Sequence, residues 1–243
     1  MKISLIVPAF NEERLLGKSL AQIKRATQAL ASRGWSHELI VCDNNSSDRT
    51  GEIARQSGAL VVAEPINQIS RARNRGASVA TGDWFWFVDA DSWPSAELFT
   101  KTAEQIESGR VVAVGTTLQF DQVDRMYALA ASLWKLWSLV FSHMAGSFIA
   151  VDARAFREIE GFSTEFFAGE ELDLSKRLSR WGKTQAPRRQ VKVLSGVPLL
   201  TSGRKAHLYS SREHIRFVWR ALRAPFRTMK RRESCDLWYD GRR

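Results

Sequence analysis

Two carboxylates one residue apart, Asp89 and Asp91, close the apolar run Trp84-Phe85-Trp86-Phe87-Val88. Carboxylate oxygens are hard ligands of the kind Mg2+ and Mn2+ prefer, and such ions keep coordination positions free for phosphate oxygens. About eighty residues later Gly169-Glu170-Glu171-Leu172-Asp173-Leu174 opens a helical pattern, with a carboxylate able to take a proton as a general base. The plainer readings are a tight solvated turn before Ser92-Trp93-Pro94, and acids that complement a helix N-terminus. Three more polar clusters punctuate the first third of the chain: Pro8-Ala9-Phe10-Asn11-Glu12, Asp43-Asn44-Asn45-Ser46-Ser47-Asp48 and Arg71-Ala72-Arg73-Asn74-Arg75-Gly76. One polar strand end signifies little, because Asp and Asn are ordinary turn and cap residues. Several that converge on one edge call for a site.

The elements that must position them alternate. Lys2–Val7 is a β-branched apolar run, after which Leu15, Leu16, Leu20, Ile23 and Leu30 repeat at helical spacing. Glu38–Asp43 reads as a second strand, and Ser46-Ser47-Asp48 opens a helix toward Gln56. Leu60–Ala63 and Trp84–Val88 are further strands, separated by a helix near Ser70–Ala80. Pro94 and Ser95 start another helix, which stops at Gly109. This alternation predicts parallel β-α-β units and an open sheet covered on both faces. Ligands collect at the carboxyl ends of such strands. The second half reads as strands at Val111–Thr117, Ser147–Val151 and Gln190–Leu194. A helix over Glu171–Trp181 is ended by Gly182, and a basic helix begins near Ser211.

Taken in order from Ile3 to about Gly182, these motifs resemble those of family 2 glycosyltransferases, which have the GT-A (nucleotide-diphospho-sugar transferase) fold. The resemblance implies a single α/β GT-A type domain over residues 1–205, with a mostly parallel central sheet flanked by helices. Residues 1–117 would form its nucleotide-binding half and 118–205 its acceptor-side half, followed by a basic C-terminal helix and tail over 206–243. It also implies that Pro8, Ala9, Asn11 and Glu12 line the nucleotide pocket, that Asp43 binds the base, and that Arg73 and Asn74 sit near the donor. Gly76 would permit close packing, Asp89 would meet ribose or sugar hydroxyls, and Asp91 would hold Mn2+ or Mg2+ on the diphosphate. The family pattern has Glu-Asp where this chain has Glu170-Glu171, so Glu171 takes the place of the base, with Glu170 as the alternative. Many GT-A enzymes complete the metal site with a later His, and His207 is the best placed here. Thr201-Ser202-Gly203-Arg204-Lys205 resembles a late loop of some relatives, in which Arg204 would touch the diphosphate; a solvated surface charge is the other reading. The implied reaction is an inverting transfer from a UDP- or GDP-sugar to an acceptor hydroxyl, for instance on a lipid-linked or cell-envelope glycan.

The bulk properties are compatible. A hydrophobic fraction of 44% and a charged fraction of 26% are ordinary for a globular protein. Two cysteines form no disulfide framework, which points to a reducing, cytoplasmic setting. Met1–Phe10 does not read as a signal peptide, because Pro8 interrupts the run and Asn11-Glu12-Glu13 stand where small cleavage-site residues belong. Most of the net charge of +10 lies in the stretch from Arg204 onward. There Arg212, Arg216, Arg220, Arg223 and Arg227 recur beside the apolar Ile215, Val218, Trp219, Leu222 and Phe226. That pattern suits a helix lying on anionic lipid, holding the protein peripherally at the cytoplasmic face, or a helix docked on its own domain. Tyr127–Phe141 contains Lys135 and is shorter than the ~20 apolar residues of a membrane span. It reads as a core helix or a wall of the acceptor site. A nucleotidyltransferase of the same fold would want a Gly-rich loop, and Pro8–Glu13 has no Gly. A non-catalytic nucleotide-sugar- or nucleic-acid-binding protein is the other rival, favoured by the basic tail. Retention of Asp89, Asp91 and Glu171 as carboxylates speaks against it, and nucleic acid is not expected as a partner.

Overall fold

The computed structural model describes residues 1–121, 143–204 and 228–235, and eight strands among them pair into one sheet. The strands are β1 (Lys2–Ala9), β2 (Ser36–Asp43), β3 (Leu60–Ala63), β4 (Trp84–Val88), β5 (Ser92–Trp93), β6 (Val111–Phe120), β7 (Phe148–Asp152) and β8 (Gln190–Thr201). Their order is β3-β2-β1-β4-β7-β6-β8-β5. The strand β1 lies between β2 and β4 and runs parallel to both, so Pro8 and Ala9 stand beside Cys42 and Asp43. The polar strand ends therefore share one edge of the sheet, as the alternation of strand and helix predicts.

Period-two alternation sorts the side chains onto two faces. Leu5, Val7, Trp86 and Val88 join one core with Leu16, Leu20 and Ile23 of α1 (Leu16–Ala26) and Phe99 of α5 (Ala96–Glu107). Trp86 meets Phe99 edge-on, with ring centroids 4.8 Å apart. The short helices α2 (Gln28–Ala31) and α3 (Thr50–Gln56) contribute Leu30 and Ala54 to this core. Ile6, Phe85 and Phe87 face the other way. They pack with Ala77 of α4 (Ile69–Val79), Phe156 of α6 (Ala153–Glu158), and Leu174 and Leu178 of α7 (Glu170–Thr184). A Cβ at Gly76 would lie 2.4 Å from Ile6 Cγ2, so only glycine lets α4 rest this closely on β1.

Three features depart from the expectation. The strand β7 runs antiparallel between β4 and β6, making the sheet mixed though mostly parallel. Strands buried on both faces look alike in sequence whichever way they run. The strand β8 continues past Leu194 to Thr201, across Ser195-Gly196-Val197-Pro198. The ladder with β6 shifts register between Thr116 and Leu118, and such an irregularity tolerates the missing N–H of Pro198. The helix α7 runs past Gly182 to Thr184. The apolar stretch 127–141 and the basic helix from residue 211 lie outside the described residues.

Candidate active site

The first two strand ends are stitched together. Asn11, with φ of 52°, donates its backbone N–H to Ser46 Oγ at 3.0 Å, and its Oδ1 accepts from the Ser47 amide at 2.8 Å. Asn tolerates this left-handed backbone better than most residues. The Glu12 amide donates to Thr50 Oγ1 at 2.7 Å, and Asp43 Oδ1 accepts from the Ser46 amide at 3.0 Å. Pro8 and Ala9 are buried in β1 beneath these loops. The Cys42 thiol is pushed up to about 12, chiefly by burial, which removes it from any nucleophilic role.

At the end of β4 stands a buried guanidinium. Arg73 is 1% exposed. Its Nη1 contacts Glu170 Oε1 at 2.6 Å, and its Nη2 contacts Asp89 Oδ1 at 3.0 Å and the Gly146 carbonyl at 2.9 Å. Burial works against this charge, and Asp89, Glu170 and Glu171 hold its pKa above the ordinary arginine value. Arg73 thus ties α4, the Asp-x-Asp turn and the start of α7 into one lattice.

Glu171 is half-buried beside that lattice, while Glu170 is committed to Arg73. Burial pushes the Glu171 carboxyl up to about 8; Glu170 adds to the rise and Arg73 opposes it. A proton acceptor raised toward neutrality suits general-base chemistry. Of the two acids, the geometry leaves Glu171 available for it.

Arg204 is not a solvated surface charge. Its Nη2 pairs with Glu12 Oε1 and lies 3.2 Å from Asp91 Oδ2, with the side chain 17% exposed. The end of β8 delivers it there: the Ser202 amide donates to the Asp91 carbonyl at 3.0 Å, and β5 pairs Ser92 with Thr201. Among the described residues no group of three or more His, Cys, Asp or Glu forms a ready metal cage. Asp91, with Asp89 two residues away, nevertheless fits a cation held by one or two carboxylates and completed by phosphate and water oxygens. The guanidinium already resting on Asp91 Oδ2 shows that a positive group is accommodated there. His207 lies outside the described residues.

Asn74, expected near the donor, spends both ends of its side-chain amide on backbone. Its Nδ2 donates to the Phe162 carbonyl at 2.8 Å and its Oδ1 accepts from the Phe162 amide at 2.9 Å. Sequence reasoning also passed over Gln68 and the Gly146 carbonyl. Gln68 contacts backbone about a hundred residues away, and a carbonyl leaves no residue-type signature, so no local signal marked either.

Comparison with known proteins adds a family. The model of Glycosyl transferase family 2 matches residues 4–159. A dolichol-phosphate mannosyltransferase of Pyrococcus furiosus is 33% identical over 121 residues, covering 48% of this chain and 33% of its own. An undecaprenyl-phosphate 4-deoxy-4-formamido-L-arabinose transferase of Edwardsiella ictaluri is 32% identical over 137 residues, covering 54% and 41%. The chain thus spans less than half the length of these curated relatives. Among solved structures, a mannosyltransferase of Pyrobaculum calidifontis with GDP-Man and Mn2+ superposes with a TM-score of 0.68 at 18% identity, covering 94% of this chain and 62% of that one. A glucosyl-3-phosphoglycerate synthase of Mycobacterium tuberculosis with Mn2+, UDP and phosphoglyceric acid gives 0.61 at 18% identity, covering 91% and 76%.

Proposed function

The chain belongs to glycosyl transferase family 2, and on that premise we propose that it moves a sugar from a UDP- or GDP-sugar to an acceptor hydroxyl with inversion, Glu171 serving as base. The observation that carries this reading is the division of labour between adjacent acids. Glu170 neutralises buried Arg73, while Glu171 stands outside the ion pair with a raised carboxyl. Glu171 takes the acceptor hydroxyl's proton as that oxygen attacks the anomeric carbon, and the nucleoside diphosphate leaves from the opposite face with the bonding pair.

In this reading Pro8, Ala9, Asn11, Glu12 and Asp43 form the nucleotide wall, and Asp89 meets ribose or sugar hydroxyls. Arg204 faces the diphosphate from the end of β8. Asp91 would hold Mn2+ or Mg2+, with His207 a further ligand, and the ion when bound would offset charge on the leaving diphosphate. Support for the ion comes from the carboxylate pair and from the Mn2+ named with two structural neighbours. A lipid-linked or cell-envelope acceptor is supported by the polyprenyl phosphates in the names of two relatives. Peripheral attachment at the cytoplasmic face rests on the arginine spacing of the tail. No helix among the described residues is long and apolar enough to cross a membrane.

A thermal-shift screen of UDP, GDP and their sugars, with and without Mn2+, tests the donor. Selective binding stabilises the native state by mass action, so the right nucleotide raises the melting temperature. No shift with any of them, in the presence of Mn2+, would refute the proposal.

A further inference from the structure

One helix of the nucleotide half grips the backbone that leads into the base. Gln68, 2% exposed at the head of α4, donates through Nε2 to the carbonyls of Thr164 at 2.8 Å and Phe166 at 3.0 Å, while its Oε1 accepts from Arg71 Nε. Asn74 exchanges two hydrogen bonds with Phe162, and Arg73 holds Glu170. Side chains of α4 and its cap therefore reach the 161–170 segment at residues 162, 164, 166 and 170. Gly161 makes the turn into it with φ of 67°, and a Cβ there would fall 2.6 Å from Asn74 Oδ1. From the other side the Met229 carbonyl accepts from the amides of Phe167 at 2.7 Å and Ala168 at 3.4 Å, and Lys230 pairs with Glu165 at 2.5 Å.

A segment without a ladder must find partners for its buried polar groups, and here side-chain amides supply them. Both ends of the Asn74 amide are spent on this task. We propose that Gln68 and Asn74 are positioning residues for Glu171: they set where α7 begins, and thereby where the base carboxylate lies relative to the strand ends. The proposal rests on the reading of Glu171 as base and reassigns Asn74 from the donor pocket to the frame of the acceptor side. A displacement of ~1 Å at a reacting group can cost about a hundredfold in rate, so a grip several residues from the base is enough to matter.

The test uses Asn74→Asp and Gln68→Glu in the full chain. Each change keeps an acceptor oxygen, removes the N–H donor, and sets a carboxylate against a backbone carbonyl. Hydrogen exchange of the amides between 163 and 172 should quicken about tenfold or more, while β1 and β2 stay protected. Calorimetry with UDP or GDP plus Mn2+ should give wild-type affinity. With a donor and acceptor that turn over, kcat should fall about ten- to a hundredfold at unchanged donor KM. Weakened nucleotide binding with an unchanged loop would make Asn74 a donor ligand and overturn the proposal, as would a loosened loop with normal kcat. Should wild-type protein turn over no sugar nucleotide, the catalytic reading fails by itself. Unaltered exchange between 163 and 172 in both variants would separately dispose of the grip.

Discussion

Replacing Glu171 with Gln should stabilise the protein while slowing transfer, and replacing its neighbour Glu170 should do the opposite to stability. The Glu171 carboxyl is raised to about 8 in the folded protein from an ordinary value of 4.5, chiefly by burial. A raised carboxyl costs the fold nothing below the unfolded value. The cost grows as pH climbs from about 4.5 and levels off above about 8. At pH 7 the interval corresponds to roughly 3 kcal/mol at 1.36 kcal/mol per pH unit, which solvent screening of a half-buried group reduces to about 1–2 kcal/mol. Glu171→Gln removes that cost and should raise the urea midpoint at about pH 8.5 but hardly at about pH 5, in the presence of a chelator. Glu170→Gln takes a countercharge from buried Arg73. Breaking such a pair costs about 3–5 kcal/mol, less where the Gln carbonyl still accepts the hydrogen bond. Transfer by Glu171→Gln should drop about 10²–10⁴-fold with donor affinity kept. A pH-independent midpoint difference would show that burial does not govern this carboxyl. Near-normal turnover would remove Glu171 as the base.

Asp91→Ala should weaken Mn2+-dependent binding of UDP or GDP in calorimetry, while the metal-free fold keeps wild-type stability to within about 1 kcal/mol. Glu38 is drawn down to about 2: burial raises it, but hydrogen bonds from Ser4, Thr81 and Lys2 outweigh burial. Its contribution is present above about pH 4.5 and is lost as pH falls toward 2, so Glu38→Gln should cost about 1–3 kcal/mol at neutral pH and almost nothing near pH 2, read from urea midpoints. The tail arginines predict sedimentation with anionic vesicles at low salt and release as salt rises. Equal binding to neutral vesicles would leave only a docked helix.

The parts of the fold that were legible in the sequence are those governed by local pattern. Leu60–Ala63 and Trp84–Val88 fall where the sequence predicts them, because short apolar runs bounded by turn residues have few alternatives. The direction of β7, the pairing of β5 with β8 and the continuation of β8 through Pro198 depend on distant partners, which periodicity does not encode. The site shows the same divide. The clusters at Asn11, Asp43, Asp89 and Glu171 announced themselves by residue type, whereas the pairing of Arg204 with both Glu12 and Asp91 spans most of the chain. Asn74 carried the signal of a polar strand-end motif, yet its hydrogen bonds go to a turn 88 residues away.

The carbonyl of Met229 has a bearing on how the protein is made. Every sheet strand among the described residues has been synthesised once Thr201 has been added, but the amides of Phe167 and Ala168, at the threshold of α7, receive this partner only with residue 229. At ribosomal speeds of about 5–20 residues per second, that partner arrives roughly 3–12 s after Phe167 and Ala168 are themselves added. A nascent chain therefore passes through an interval in which the described strands can pair while the threshold of α7 still lacks this fastening. The segment before α7 is thus fastened from one side early, by Gln68 and Asn74, and from the other side late, by residue 229.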